Sequence, residues 1–159
     1  MLNIYYYTTD IGRIGIADNG KAITNVYFEH DPVDDDAAIY ETDLLRRAGK
    51  QLGEYLCGER KVFTLPLAPH GTDFMQQVWY SLQTIPYGQT QSYAEIAKSI
   101  GNEKACRAVG MANNRNPIPI FIPCHRVIGK NGKLIGYRAG LQIKTYLLEL
   151  EKRYADNFI

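Results

Sequence analysis

Three prolines within seven residues constrain this chain more than any other feature. They lie in the stretch "PIPIFIPCHRVIG", residues 117–129. Pro117, Pro119 and Pro123 each lack an N–H and hold φ near −65°, so the segment is predicted to be stiff, extended and non-helical. The rest of the fold has to be packed around it. The segment sets Cys124 beside His125 in an apolar run, with Arg126 next. In an extended chain successive side chains face opposite ways, so no direct Cys–His bond is expected, and a base would reach the thiol through a water.

The 159 residues suffice for one modest domain or two small ones with a real core. The longest uncharged apolar run falls far short of the ~20 residues of a membrane span. The N-terminus "MLNIYYYTTD" lacks the basic and apolar regions of a signal peptide. Three cysteines, Cys57, Cys106 and Cys124, with no CxxC pair disfavour a disulfide framework and a zinc ribbon. A cytoplasmic protein with reduced thiols is expected. The net charge of +1 hides an asymmetry: residues 1–71 carry 7 Lys/Arg against 11 Asp/Glu, and residues 72–159 carry 11 against 6. Either the charges cluster by chance around the "DPVDDD" loop, or the second half faces a polyanion.

The first 30 residues read as β-strands, "NIYYYTT", "RIGIAD" and "AITNVYFEH", the last two joined by an Asn-Gly turn in "DNGK". Residues 41–57 have helical spacing and stop at Gly58, and "KVFTLPL" is a further candidate strand broken by Pro66. "APHG" (68–71) marks the junction, giving domains 1–68 and 69–159. The second half is mostly helical. Thr72 opens one helix, Ser92 and Glu95 form a capping box for "YAEIAKSI", Asn102 with Glu103 caps "KACRAVGMAN", and a last helix spans about Leu141 to Tyr154. Two short helices separated by "GNE" have helix-turn-helix spacing, common both in nucleic-acid binding and in plain packing.

A lone cysteine is more often inert and buried than nucleophilic, and Cys57 and Cys106 take that reading. Cys124 differs because cationic neighbours lower a thiol's pKa. "PCHRVIG" resembles the active-site signature of the O6-alkylguanine-DNA alkyltransferases. "IPYGQTQSYAEIA", "CRAVGMANNRNP", "IPIFIPCHRVIG" and "GLQIKTYLLELE" follow in family order over about residues 72–152. The resemblance implies an α+β protein: an N-terminal ribonuclease H-like sheet-and-helix domain, then a mostly helical, winged-helix-like helix-turn-helix domain holding the active site.

It also implies roles. Cys124 would accept the alkyl group from guanine O6 as an irreversible thioether. His125 would take the thiol proton through a water, and Glu151 would orient His125. Tyr137 would donate to the leaving guanine, with Lys144 supporting that tyrosine. Asn116 would tie the recognition helix to the active-site segment. Double-stranded DNA would be the partner, entered from the minor groove with the target base flipped out. Arg107 would fill the gap in the stack, Tyr93 would crowd the 3′ phosphate, and Ala108, with its small neighbours, would allow close approach. Ser92, Arg115 and Arg126 complete the expected DNA-binding set. A cofactor-free monomer without metal is implied. Arg138 and Ala139 in "YRAG" depart from relatives carrying a small residue and a glycine, which would alter the alkyl pocket.

Three other classes stay open to the residues alone. A non-enzymatic alkyltransferase-like binder of alkylated DNA would lack the cysteine. A cysteine hydrolase would turn over repeatedly, and a helix-turn-helix regulator would carry additional domains.

Overall fold

A computed structural model describes residues 1–156, and the chain divides into two compact units, Met1–His70 and Gly71–Ile159. The division lies two residues beyond the expected boundary at 68.

In the first unit β1 (Asn3–Thr9), β2 (Gly12–Asp18) and β3 (Ile23–Tyr27) form an antiparallel meander, and β4 (Ala38–Ile39) adds parallel to β1, giving the order β3-β2-β1-β4. The β2–β3 turn closes through Asn19, whose side-chain oxygen accepts from the Lys21 and Ala22 amides at 2.9 Å each. Helix α1 (Asp43–Leu56) is capped by the Thr42 hydroxyl, which accepts from Leu45 N. It buries Leu45, Ala48, Leu52 and Tyr55 with Ile4, Ile14, Ile16 and Val26 of the sheet. Deleting one such side chain costs about 2–5 kcal/mol. The expected strand in "KVFTLPL" does not form. From the sheet, Ile23 donates to Pro66 O at 2.8 Å and pairs with Leu67 in an isolated bridge, while Gln51 of α1 accepts from Thr64 N at 2.9 Å. The fourth strand is Ala38–Ile39, too short to show a period.

The second unit is mostly helical. Helix α2 (Asp73–Leu82) is capped by Thr72. A two-residue strand β5 (Gln91–Ser92) leads into α3 (Tyr93–Ser99), where Ser92 and Glu95 make the full capping box. Helix α4 (Cys106–Asn114) starts two residues later than the sequence suggests. Asn102 and Glu103 do not cap it: its N-cap is Ala105, without a side-chain bond, and Asn102 O instead accepts from Ala105 N. β6 (Val127–Ile128) pairs parallel with β5, and α5 (Leu141–Tyr154) closes the described chain. Trp79 of α2 is buried and donates its indole N–H to Ala112 O of α4 at 2.8 Å, fixing the two helices together. Val78, Leu82, Ile96, Val109 and Leu147 fill the core around it.

The proline-rich segment is not simply extended. Ile120 takes a left-handed φ of 74°, costly for a β-branched residue, and the chain turns there so that Ile122 N donates to Ile118 O at 2.9 Å. Cys124–Arg126 then form one 3-10 turn. Successive side chains there step by about a third of a turn rather than to opposite faces. Among the described residues no helix is long and apolar enough to cross a membrane.

Candidate active site

The Cys124 turn is fixed from the end of α4 by two asparagines. Asn116 donates from Nδ2 to Ile122 O at 2.8 Å and accepts from Ile118 N at 2.9 Å, while Asn113 donates to Cys124 O at 3.3 Å. Both are buried, so each bond removed would strand a polar group at about 1–3 kcal/mol. Cys124 is 4% exposed. Burial pushes its thiol up, opposed by a hydrogen bond to Asn116 and the charges of Arg138 and Lys144.

His125 is fully buried and its Nε2 lies 2.7 Å from Glu151 Oε2 on α5. Burial pulls the imidazole below its ordinary value, with Glu151 opposing. Glu151 gathers three further donors: Arg126 Nε to Oε1 at 2.8 Å, Arg126 Nη2 to Oε2 at 2.9 Å, and Gly88 N to Oε1 at 3.0 Å. Burial alone would raise this carboxyl, but the His125 and Arg126 bonds outweigh it and hold it well below the carboxylate range. The third Arg126 nitrogen donates to Ile85 O at 2.7 Å.

Arg126 is therefore a correction to the expected DNA-binding set. It is only 7% exposed and its fork is bound to Glu151 inside the unit. The neutral readings of Cys57 and Cys106 as buried residues also change: Cys57 is exposed and Cys106 half-buried.

Lys144, expected to support Tyr137, is buried and donates to the carbonyls of Val127 (2.7 Å), Ile135 (3.1 Å) and Gly136 (3.4 Å). It grips the loop leading into Tyr137. Burial pulls its ammonium down. Tyr137 is buried beside Cys124, and burial with the negative charge of a thiolate pushes its phenol well up, so it remains a proton donor.

The remaining predicted residues lie on a second face. Arg107 and Ala108 are exposed on α4, and Arg115 is exposed just past its end. A cavity of about 680 Å³ is lined by Arg107, Arg115 and Tyr93 together with Gly110, Met111 and Gly136. The Tyr93 hydroxyl donates to Ile135 O at 3.0 Å, and burial followed by the Cys124 charge raises its pKa. Ser92 is half-buried and its hydroxyl accepts the cap bond from Glu95 N at 3.1 Å. Three participants escaped the sequence reading: the Gly88 amide, the Ile85 carbonyl and Arg138, whose Nη1 donates to Asn116 O at 2.8 Å. Two are main-chain groups without any sequence signature. The sequence marks Arg138 only as a departure in "YRAG", with nothing to join it to Asn116.

Family models match nearly all of this chain: the 6-O-methylguanine DNA methyltransferase ribonuclease-like domain over residues 3–69 and its DNA binding domain over residues 73–153. This chain belongs to the O6-methylguanine-DNA methyltransferase family. Within that family it is 48% identical to the constitutive methylated-DNA–protein-cysteine methyltransferase of Bacillus subtilis, over 92% of this chain and 95% of that one. It is 46% identical to the methylated-DNA–protein-cysteine methyltransferase of Mycobacterium tuberculosis, over 96% of this chain and 94% of that one. The crystal structure of Mycobacterium tuberculosis OGT in complex with DNA superposes with a TM-score of 0.91 at 43% identity, covering 96% of this chain and 94% of that chain. The α+β fold expected from the sequence is thus that of this methyltransferase family.

Proposed function

We propose that this protein repairs DNA by direct reversal, moving the alkyl group from O6-alkylguanine in duplex DNA to its own Cys124 in a single irreversible turnover. The observation that carries the reading is a buried, doubly tethered cysteine beside an imidazole already committed to a carboxylate. Because Glu151 stays ionised, the Nε2–H of His125 donates to it, which leaves proton exchange with the thiol to Nδ1, through a water. The Cys124 sulfur then forms a bond to the alkyl carbon as the carbon–O6 bond breaks. The electron pair leaves on guanine, which takes a proton from Tyr137. The step balances with thiol and base alone and requires no cofactor. Its rigid aim comes from Asn113 and Asn116.

The target base lies inside a duplex and has to be extruded. Exposed Arg107, on a helix face with Ala108, suits entry from the minor groove, with the guanidinium filling the vacated stack. Tyr93 and Arg115 flank the same cavity and suit contact with the strand. The protein acts as a monomer in the cytoplasm, where its three free cysteines stay reduced. A purely binding, alkyltransferase-like role is disfavoured by the presence of Cys124 itself.

Intact mass after incubation with duplex DNA containing O6-methylguanine tests the function. One added methyl group, located on the Cys124 peptide, is expected. Methylation elsewhere, or repeated turnover, would overturn it.

A further inference from the structure

An α-helix with its side chains is about 10–12 Å across, and the minor groove of B-form DNA is only about 6 Å wide. A helix approaching from that side rests on the rim, and only the side chains of its outer stripe reach inside. On α4 that stripe is Arg107, Ala108, Met111, Asn114 and Arg115, which recur at helical spacing and are all exposed. Val109, Ala112 and Asn113 turn the other way and are buried.

Four members of the stripe are what a DNA-facing helix needs: two cations, one amide and one side chain short enough for close approach. Met111 is the exception. It is large, apolar and 58% exposed, and it sits mid-stripe, four residues from each arginine. A single exposed methionine is ordinary on a protein surface. This one lines the cavity of about 680 Å³ together with both arginines, Tyr93 and Ile135, and Ile135 is itself 51% exposed. Among the described residues that line this cavity none is acidic. Charge complementarity selects the occupant. Two arginines about 12 Å apart along one helix match a phosphate backbone, and apolar carbon between them matches the deoxyribose that joins the phosphates.

We propose that Met111 is the apolar wedge of the DNA interface. Its thioether chain packs against deoxyribose and base edges in the minor groove, one turn from Arg107, and holds the strand open while the target base is out. The inference rests on the alkyl-transfer reading and adds to it a contact that carries no charge. An unbranched, flexible side chain suits a groove whose width varies with sequence. Apolar wedges also stabilise unstacked base steps in other minor-groove complexes. Because this contact neutralises no phosphate, salt should not remove its share of the affinity.

The test is equilibrium binding to a duplex carrying one O6-methylguanine, over a series of salt concentrations, in a Cys124→Ala background so that no transfer intervenes. Burying the exposed part of one methionine is worth about tenfold in affinity. Met111→Gln, similar in length and helix propensity, is expected to lose about that factor at every salt concentration, with the slope of log K against log salt unchanged. Arg115→Gln is expected to lower that slope by about 0.9, the value of one phosphate contact. Met111→Leu, which stays apolar, should lose much less than Met111→Gln. Full affinity in Met111→Gln overturns the proposal, as does a changed slope, which would trace the loss to the arginines. Met111→Leu weakened as far as Met111→Gln overturns it too. Thermal melting of each variant separates a lost contact from lost folding. Methyl transfer by the protein with Cys124 intact tests the underlying function separately: duplex binding without transfer would overturn that reading and leave the Met111 comparison standing.

Discussion

Arg126 meets Glu151 at two points, Nε to Oε1 at 2.8 Å and Nη2 to Oε2 at 2.9 Å, with both side chains almost fully buried. Such a pair gives little net stability when whole but is costly to break, since the remaining ion sits unpaired in a poor solvent. Arg126→Met is expected to cost about 3–5 kcal/mol in urea unfolding. Adding Glu151→Gln should recover a large part of that loss, because it removes the stranded charge. Equal instability of the single and double variants would show that the pair is not the source.

Acid should destabilise the protein in two stages. His125 and Glu151 both have folded pKa values below their ordinary ones, so each favours folding above its unfolded pKa and loses that contribution as pH falls toward the folded value. Thermal midpoints are expected to begin falling below about pH 6.5, from His125, and to fall further below about pH 4.3, from Glu151. In Glu151→Gln the second decline should be shallower. A midpoint independent of pH between about 7 and 5 would contradict the His125 shift, and one independent of pH between about 4 and 2 would contradict the Glu151 shift.

Arg107→Ala separates base extrusion from chemistry. Arg107 is exposed on α4 and has no place in the Cys124–His125–Glu151 contacts. The variant should react with free O6-benzylguanine at near the unsubstituted rate, if that base is accepted at all. Its repair of duplex DNA should be slower by tenfold or more, about 1.4 kcal/mol. Equal slowing on both substrates would mean that Arg107 supports the fold.

Gly88→Ala should be damaging far beyond the size of a methyl group. Gly88 has φ of +79°, and an added Cβ would lie 2.9 Å from the Ala155 Cβ. The left-handed backbone alone costs about 1–2 kcal/mol for a residue with a side chain. Its amide also holds Glu151 Oε1 at 3.0 Å. A lower melting temperature together with slower methyl transfer is expected. Unchanged transfer in a destabilised variant would show that this amide is dispensable for orienting the carboxylate.

Local chemistry was readable from the sequence wherever neighbours in the chain decide the outcome. The Asn19 turn, the Thr72 cap, the Ser92–Glu95 box and the span of α5 are of that kind. Cys124 and His125 stand out together in the proline-rich segment, but Glu151 could be joined to them only through the resemblance, because nothing local joins positions 26 residues apart. What escaped depends on tertiary partners. β4 is two residues long and exists because β1 offers an edge. Ile120 tolerates its positive φ because the buried surroundings impose it. Arg126 looks like a surface cation in the sequence. Only the fold brings it to Glu151 and Ile85, 25 and 41 positions away.

Trp79 is the sole tryptophan of this protein, and its indole is held against the last turn of α4 through Ala112 O. The next residue is Asn113, which holds the Cys124 carbonyl. The protein thus carries a single tryptophan, hydrogen-bonded to the peptide group that joins Ala112 to Asn113, the tether of Cys124. Emission excited at the red edge, where the tyrosines do not absorb, should therefore follow any loosening of that helix end after Cys124 has been alkylated. The fate of the spent protein can be watched in real time without attaching a label.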